Sequence, residues 1–169
     1  MNPNPFAWSF RAQYAAGFLV CSALYAFALY VQFAQGIEPC PMCIFQRIAV
    51  IVMGLFFLAG AIHGPRERGR KAYALLILAA AAAGVGIAAR HLWVQHLPPD
   101  PFAGCAPGWN YMVENFPISK ALKMAFTGSA DCSQVSWTLL GLSMPFWTLL
   151  CYVLLGGGAL WAGFRRRAN

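Results

Sequence analysis

The sequence predicts an all-α membrane protein: a bundle of four transmembrane helices with a long outer loop that carries a short interfacial helix. Of its 169 residues, 60% are hydrophobic and only 10% are charged, whereas about a quarter of the residues in soluble domains are charged. Four apolar stretches, at residues 14–33, 44–62, 72–89 and 145–162, have about the length needed to cross a bilayer. We expect a single membrane domain over residues 1–169.

Each of the four apolar stretches is expected to be a helix. Lipid offers no partner to an unpaired peptide group, so a span must satisfy its own backbone. The stretches are rich in alanine and leucine and lack the alternation of apolar and polar residues seen in barrel strands. The first stretch is longer than the core of a secretory signal and has no convincing cleavage site, which favours a retained helix.

The basic residues predict the orientation of the bundle. Eight of the 12 flank one side of it, namely Arg11, Arg66, Arg68, Arg70, Lys71, Arg165, Arg166 and Arg167. Because Lys and Arg collect on the cytoplasmic side, we expect both termini and the loop at 63–71 there, and the loops at 34–43 and 90–144 outside. The net charge of +7 then reflects membrane orientation and contact with lipid, and no nucleic-acid partner is expected.

The six cysteines fall into two classes. Cys21 and Cys151 lie within apolar stretches, where a buried free cysteine commonly behaves as a small hydrophobic residue. The other four lie in the outer loops: Cys40, Cys43, Cys105 and Cys132. In a bacterium the outer compartment permits disulfides, whereas cytoplasmic thiols stay reduced. The four outer cysteines are therefore candidates for disulfide chemistry.

The segment Cys40-Pro41-Met42-Cys43 stands directly before the second helix. Cys43 is expected in or near the first turn, where unpaired N–H groups and the helix dipole favour a thiolate. Arg47 follows four residues later, on the same helix face, and adds a permanent positive charge. The alternative is that Arg47 only reaches towards lipid headgroups.

Cys105 and Cys132 lie far apart in the long loop, among Pro and Gly residues that let the segment close a disulfide. A static bridge of this kind would stabilise the fold by about 3 kcal/mol in the chain-entropy model. Between the two cysteines, residues 117–126 have the pattern of a short amphipathic helix lying on the membrane surface. The loop can thus move while staying near the second helix.

Four thiols on one side of the membrane also permit a zinc site. Zinc ribbons, however, typically use two C-x-x-C pairs, and here only Cys40 and Cys43 have that spacing. No metal site is expected.

Five segments together resemble the disulfide bond formation protein B (DsbB) family, the quinone-linked thiol oxidases of the bacterial inner membrane. They occur in order over nearly the whole chain: Glu-Pro-Cys-Pro-Met-Cys at 38–43, Gln-Arg at 46–47, Pro-Phe-Ala-Gly-Cys at 101–105, Gly-Ser-Ala-Asp-Cys at 128–132 and Leu-Gly-Leu-Ser-Met-Pro-Phe-Trp at 140–147. The resemblance implies a multi-pass inner-membrane protein with its active cysteines facing the periplasm.

The resemblance also implies a relay. A periplasmic DsbA-like thiol oxidase, once reduced, would attack Cys105, and the released Cys132 would join Cys40. Cys43 would then be freed as a thiolate beside ubiquinone or menaquinone from the membrane pool, with Arg47 stabilising the negative charge. The outer end of the third helix approaches the quinone in this family, so His91 is a candidate quinone contact. An interfacial histidine is the alternative.

Two other classes of protein remain open at this point. One is a relative of the vitamin K epoxide reductases, in which the paired cysteines usually stand at the outer end of a later helix than Cys40 does here. The other is a membrane protein without enzymatic activity, whose cysteines form structural disulfides or bind zinc. A redox relay would cycle with quinone, whereas neither static arrangement would.

The orientation can be tested by labelling introduced cysteines. A membrane-impermeant thiol reagent applied to intact cells should label reduced Cys105 but not a cysteine that replaces Arg68, because the basic loop is expected in the cytoplasm. Permeabilised cells, in which both positions should react, provide the control. Labelling of the Arg68 position in intact cells would invert the orientation.

Overall fold

The computed structural model describes residues 8–97, 109–127, 130–133, 135 and 137–165. Four long helices are each apolar and long enough to cross a membrane: α1 (Phe10–Gln35), α2 (Pro41–His63), α3 (Glu67–Gln95) and α7 (Met144–Phe164). The connection between α3 and α7 carries α4 (Trp109–Asn115), α5 (Ile118–Thr127), α6 (Ala130–Ser133), β1 (Thr138–Leu139) and β2 (Leu142–Ser143). The predicted fold class, a four-helix membrane protein with a short helix in its long loop, is confirmed.

The helices extend beyond the apolar stretches, and their ends follow local capping rules. Cys40 occupies the N-cap of α2 and Pro41 its first helical position, where a proline costs no hydrogen bond. α3 runs to Gln95 rather than ending near residue 89, so His91 lies within it. Gly36 ends α1 with φ +65°, a conformation that glycine adopts without strain.

Small residues let the helices of the bundle approach closely. A Cβ atom on Gly84 of α3 would lie 2.6 Å from the ring of Tyr152 on α7, and one on Gly163 would lie 2.5 Å from the Cβ of Ala74. Close backbone approach of this kind is a main source of helix association in lipid. Large apolar side chains remain exposed on the long helices, as on Leu19 and Leu154, where lipid would contact them.

The short amphipathic helix predicted at 117–126 is present as α5. Its alanines Ala121 and Ala125 are buried. The ring of Phe126 stacks on Phe45 of α2 with centroids 5.4 Å apart, and Arg90 of α3 donates a hydrogen bond to the Phe126 carbonyl. α5 therefore rests on the ends of α2 and α3 next to the Cys40–Cys43 segment.

A short hairpin leads into α7. β1 and β2 pair antiparallel in the register Thr138↔Ser143 and Leu139↔Leu142. The two residues between them, Leu140 and Gly141, both have positive φ, as a tight two-residue hairpin turn requires. The sequence analysis did not predict this hairpin, because two strands of two residues are too short to show alternation.

Candidate functional site

The paired cysteines lie at the start of α2. Cys40 caps the helix and Cys43 stands in its first turn, as the spacing predicts. The two sulfur atoms are 3.3 Å apart. Cys40 is buried whereas Cys43 is half-buried, so the two cysteines differ in their exposure.

Cys132 of α6 is packed against this pair. Its side chain is fully buried in one small cluster with Cys40, Met42 and Val94. The ligand atoms of Cys40, His91 and Cys132 all lie within 4.8 Å of one another. Cys105, the predicted partner of Cys132, lies outside the described residues. One cysteine of the long loop is thus held beside the first cysteine of α2.

His91 projects from α3 into the same cluster. Its Nε2 lies 3.8 Å from the Cys40 sulfur, and its Nδ1 lies 3.2 Å from the Gln46 side-chain nitrogen. The resemblance gave His91 as a candidate quinone contact, and the side chain does line the cavity described below. It also contacts Cys40, a contact that sequence reasoning did not predict.

Gln46 has a larger part in the site than its sequence indicated. The side chain is buried, and its Oε1 accepts a hydrogen bond of 2.6 Å from Thr148 Oγ1 of α7. The Gln46 carbonyl accepts another of 2.6 Å from the Tyr152 hydroxyl. A signal was available in the sequence, because Gln46 follows Cys43 by three residues and so shares its helix face.

Arg47 is held by α1. Its guanidinium donates to the Gln32 side-chain oxygen and, over 3.0 Å, to the Ala28 carbonyl. The charge is therefore oriented by two groups of the neighbouring helix. Arg47 and Cys43 line one cavity, so the helix-face argument correctly put them on the same side of α2.

A cavity of about 310 Å³ opens beside the cysteine pair. Its polar wall is formed by α2 and α3, through Cys40, Cys43, Gln46, Arg47 and His91. Much of the remaining wall is apolar or aromatic, with Leu24, Phe27, Val31, Val50, Trp137, Leu139 and Trp147 among its residues. A mostly apolar wall with a few convergent polar groups is typical of small-molecule sites.

Cys40, His91 and Cys132 bring two sulfurs and one ring nitrogen together. The zinc alternative in the sequence rested on the four outer cysteines, whereas this set replaces two of them with a histidine.

Four apolar helices and three clustered cysteines beside an apolar cavity define a multi-pass membrane protein equipped for thiol–disulfide chemistry. Residues 10–162 match the family model described as disulfide bond formation protein DsbB, and the chain belongs to this family. The family supports a disulfide-forming redox function.

Individual relatives cover almost the same length. The disulfide bond formation protein B of Xanthomonas euvesicatoria is 50% identical over 167 residues, which are 98% of this chain and 97% of that protein. The protein of the same name from Methylococcus capsulatus is 51% identical over 152 residues, 90% of this chain and 93% of the relative. That from Nitrosococcus oceani is 44% identical over 153 residues, 90% of each chain.

Proposed function

We propose that this chain is a quinone-dependent protein-dithiol oxidase: it reoxidises a periplasmic DsbA-like protein and passes the electrons to ubiquinone or menaquinone. The observation that carries the proposal is the position of the cysteine pair. Cys40 lies beside Cys132, and both Cys40 and the more exposed Cys43 line the apolar cavity. Electrons entering through Cys132 can thus leave at Cys43 after one exchange.

The route begins in the long loop. A partner thiolate attacks Cys105 of a Cys105–Cys132 disulfide, so that a mixed disulfide forms and Cys132 leaves as a thiolate. Cys132 then attacks Cys40 of the Cys40–Cys43 disulfide, forming Cys40–Cys132 and releasing Cys43 as a thiolate. The short distance between Cys132 and Cys40 supports this order of attack.

The cavity suits the quinone headgroup. An apolar wall accommodates the ring, and Arg47 and His91 can donate hydrogen bonds to ring oxygens. Arg47 is a permanent cation and would stabilise both the Cys43 thiolate and negative charge on those oxygens. A bound quinone would supply the two-electron acceptor that draws electrons from a strongly oxidising partner.

The proposal includes an orientation. The cysteines would face the periplasm from the bacterial inner membrane, with both termini in the cytoplasm, as the basic residues indicate. Disulfides can persist on that side.

Quinone reduction by purified protein tests the proposal. Protein supplied with a reduced DsbA-like partner and a soluble quinone should oxidise the partner and reduce the quinone in equal amounts. Cys43→Ser should abolish quinone reduction, because Cys40 would have no partner with which to re-form the disulfide of the pair. Cys21→Ala, a buried cysteine of the helix core, is the matched control and should retain the rate. Quinone reduction by Cys43→Ser would contradict the assigned route.

The order of the cysteines can be read from a trapped complex. A DsbA-like partner that keeps only its attacking cysteine should bond to Cys105, and in that complex Cys132 should be bonded to Cys40. Acid quenching followed by peptide mass spectrometry identifies both bonds. A partner bonded to Cys132 instead would reverse the roles of the two loop cysteines.

Arg47 should tune the quinone step. Arg47→Gln is expected to raise the quinone concentration for half-maximal rate about tenfold or more, since a hydrogen bond to a charged group contributes ~1.5–3 kcal/mol. Arg47→Lys should be milder because it keeps the charge. Steady-state rates at varied quinone measure the effect, and the trapped complex should still form.

The matched control for Arg47 is Arg11→Gln. Arg11 likewise donates to backbone carbonyls of a neighbouring helix, those of Ala61 and Ile62, but at the other end of α2. Its loss should leave the quinone dependence unchanged. If Arg47→Gln slowed trapping of the partner and left the quinone dependence intact, the residue would belong to docking.

A further inference from the structure

We infer that Cys40, His91 and Gln46 form a thiol–imidazole–amide triad, in which His91 exchanges a proton with Cys40 and Gln46 positions the imidazole. This inference deepens the proposed function and rests on it, since it assigns His91 to the thiol exchange as well as to the cavity. His91 is then a catalytic residue, because it contacts a reacting sulfur. Gln46 is a positioning residue.

The geometry orders the three groups. The Cys40 sulfur lies 3.8 Å from His91 Nε2, and the opposite ring nitrogen, Nδ1, lies 3.2 Å from the Gln46 amide nitrogen. A thiol on one ring nitrogen and a side-chain amide on the other is also the order of the Cys-His-Asn proteases. Cys40, His91 and Gln46 are 7%, 3% and 5% exposed, so bulk water is largely kept from all three.

Burial makes the contact between His91 and Gln46 informative. Among the described residues, tyrosines aside, these are the two buried polar side chains, and each is a hydrogen-bond partner of the other. An unpaired polar group away from water costs ~1–3 kcal/mol. Each side chain therefore depends on the other for its place in the bundle.

The Gln46 amide can serve both forms of the imidazole. With its nitrogen towards Nδ1, the neutral ring carries its proton on Nε2 and gives a Cys40 thiolate a hydrogen bond. With its oxygen towards Nδ1, the amide stabilises the imidazolium, which can transfer its Nε2 proton to that thiolate. In the same orientation the amide accepts the Nδ1 proton of the neutral ring, and Nε2 can accept one from a Cys40 thiol. Thr148 fits both cases, because its hydroxyl lies 2.6 Å from Gln46 Oε1 and 3.0 Å from the Pro145 carbonyl.

The proton is needed when the relay resets. The partner's second thiolate first attacks the partner–Cys105 bond, so that the partner leaves as a disulfide and Cys105 leaves as a thiolate. The Cys105 thiolate then attacks Cys132 of the Cys40–Cys132 disulfide; the Cys105–Cys132 bond forms, the Cys132–Cys40 bond breaks, and the electron pair leaves on Cys40. A buried anion without a partner is costly, so His91 donates its Nε2 proton or a hydrogen bond to Cys40. His91 recovers that proton before Cys40 bonds again to Cys43 and two electrons pass to the quinone.

Other titratable groups surround the triad. Cys132 on α6 faces His91 directly, and Tyr25 lines the cavity from α1. The remaining cavity groups are Glu38, Cys43 and Arg47 in or before α2, and Cys151 and Tyr152 on α7. The guanidinium of Arg47 is held by α1. Of the described histidines, His91 is the one at this site: His63 contacts Tyr73, and His96 contacts its own helix.

A quinone-free assay tests the triad. In a Cys43→Ser, Cys105→Ser protein, Cys40 and Cys132 can form a stable disulfide, which 2-mercaptoethanol then cleaves. The release of the Cys40 thiol is measured at a series of pH values by acid quenching and site-resolved alkylation. With His91 present, a plot of the cleavage rate against pH should be bell-shaped. The attacking thiol must be deprotonated, whereas the imidazole must be protonated.

His91→Ala should slow the release of Cys40 by about 100-fold near neutral pH and leave a rate that only rises with pH. Gln46→Leu should slow it by about tenfold and flatten the bell. Gln46→Glu should keep the bell, because a carboxylate also accepts the Nδ1 proton. Gln13→Leu on α1, remote from the cavity, is the matched control and should behave as the parent.

Three results would overturn the triad. The first is a bell-shaped profile that survives His91→Ala. The second is equal behaviour of Gln46→Leu and Gln46→Glu, and the third is failure of the Cys40–Cys132 disulfide to form. Because no quinone is present, the assay is independent of the proposed function. A chain that never reduced quinone would refute that function, yet its pH profile would still report on the triad.

Discussion

Every polar group inside a lipid-embedded bundle must find its partner within the protein, since no water is at hand to replace a missing one. This constraint accounts for the hydrogen bonds between side chains near the cysteines. The polar side chains of Gln46, His91, Thr148 and Tyr152 form one hydrogen-bonded network across α2, α3 and α7. The network links three helices at the level of the cysteines. The buried Tyr14 hydroxyl, near the other end of the bundle, is an exception, because it has no hydrogen-bond partner among the described residues.

α2 organises the site because its first two turns carry most of the chemistry. Cys43 follows Cys40 by three residues, and Gln46 and Arg47 follow Cys43 by three and four, so all of them lie towards one face of the helix. The other helices contribute one function each: α1 orients Arg47, α3 supplies His91, and α7 fixes Gln46. A one-residue shift in the register of α2 would misplace all four side chains together. The capping residue Cys40 and Pro41 after it fix that register at the helix start.

Much of the fold could be predicted because membrane spans are coded by length and apolarity, both of which are local. The spacing of Cys43 and Arg47 was equally local, and their common cavity followed from it. The partners of Arg47 on α1 and the contact of His91 with Cys40 join positions 15 to 51 residues apart. Such contacts depend on how the helices rotate against one another, which periodicity does not fix. Gln46 shared the helix face of Cys43, but its buried network required α7, more than 100 residues later.

In the proposed relay, Cys40 and Cys43 would meet two conflicting requirements through their different exposure. Exchange between disulfides needs sulfurs in contact, in a place where a released thiolate does not meet bulk solvent; Cys40 and Cys132 are accordingly buried together. Delivery of electrons to a membrane-soluble acceptor needs a sulfur in an open apolar cavity, and Cys43 is half-buried at its wall. His91 contacts Cys40 and, like Cys40, lines the cavity. In the proposed relay one side chain would therefore serve the proton at Cys40 in the same place where the cavity receives the electrons.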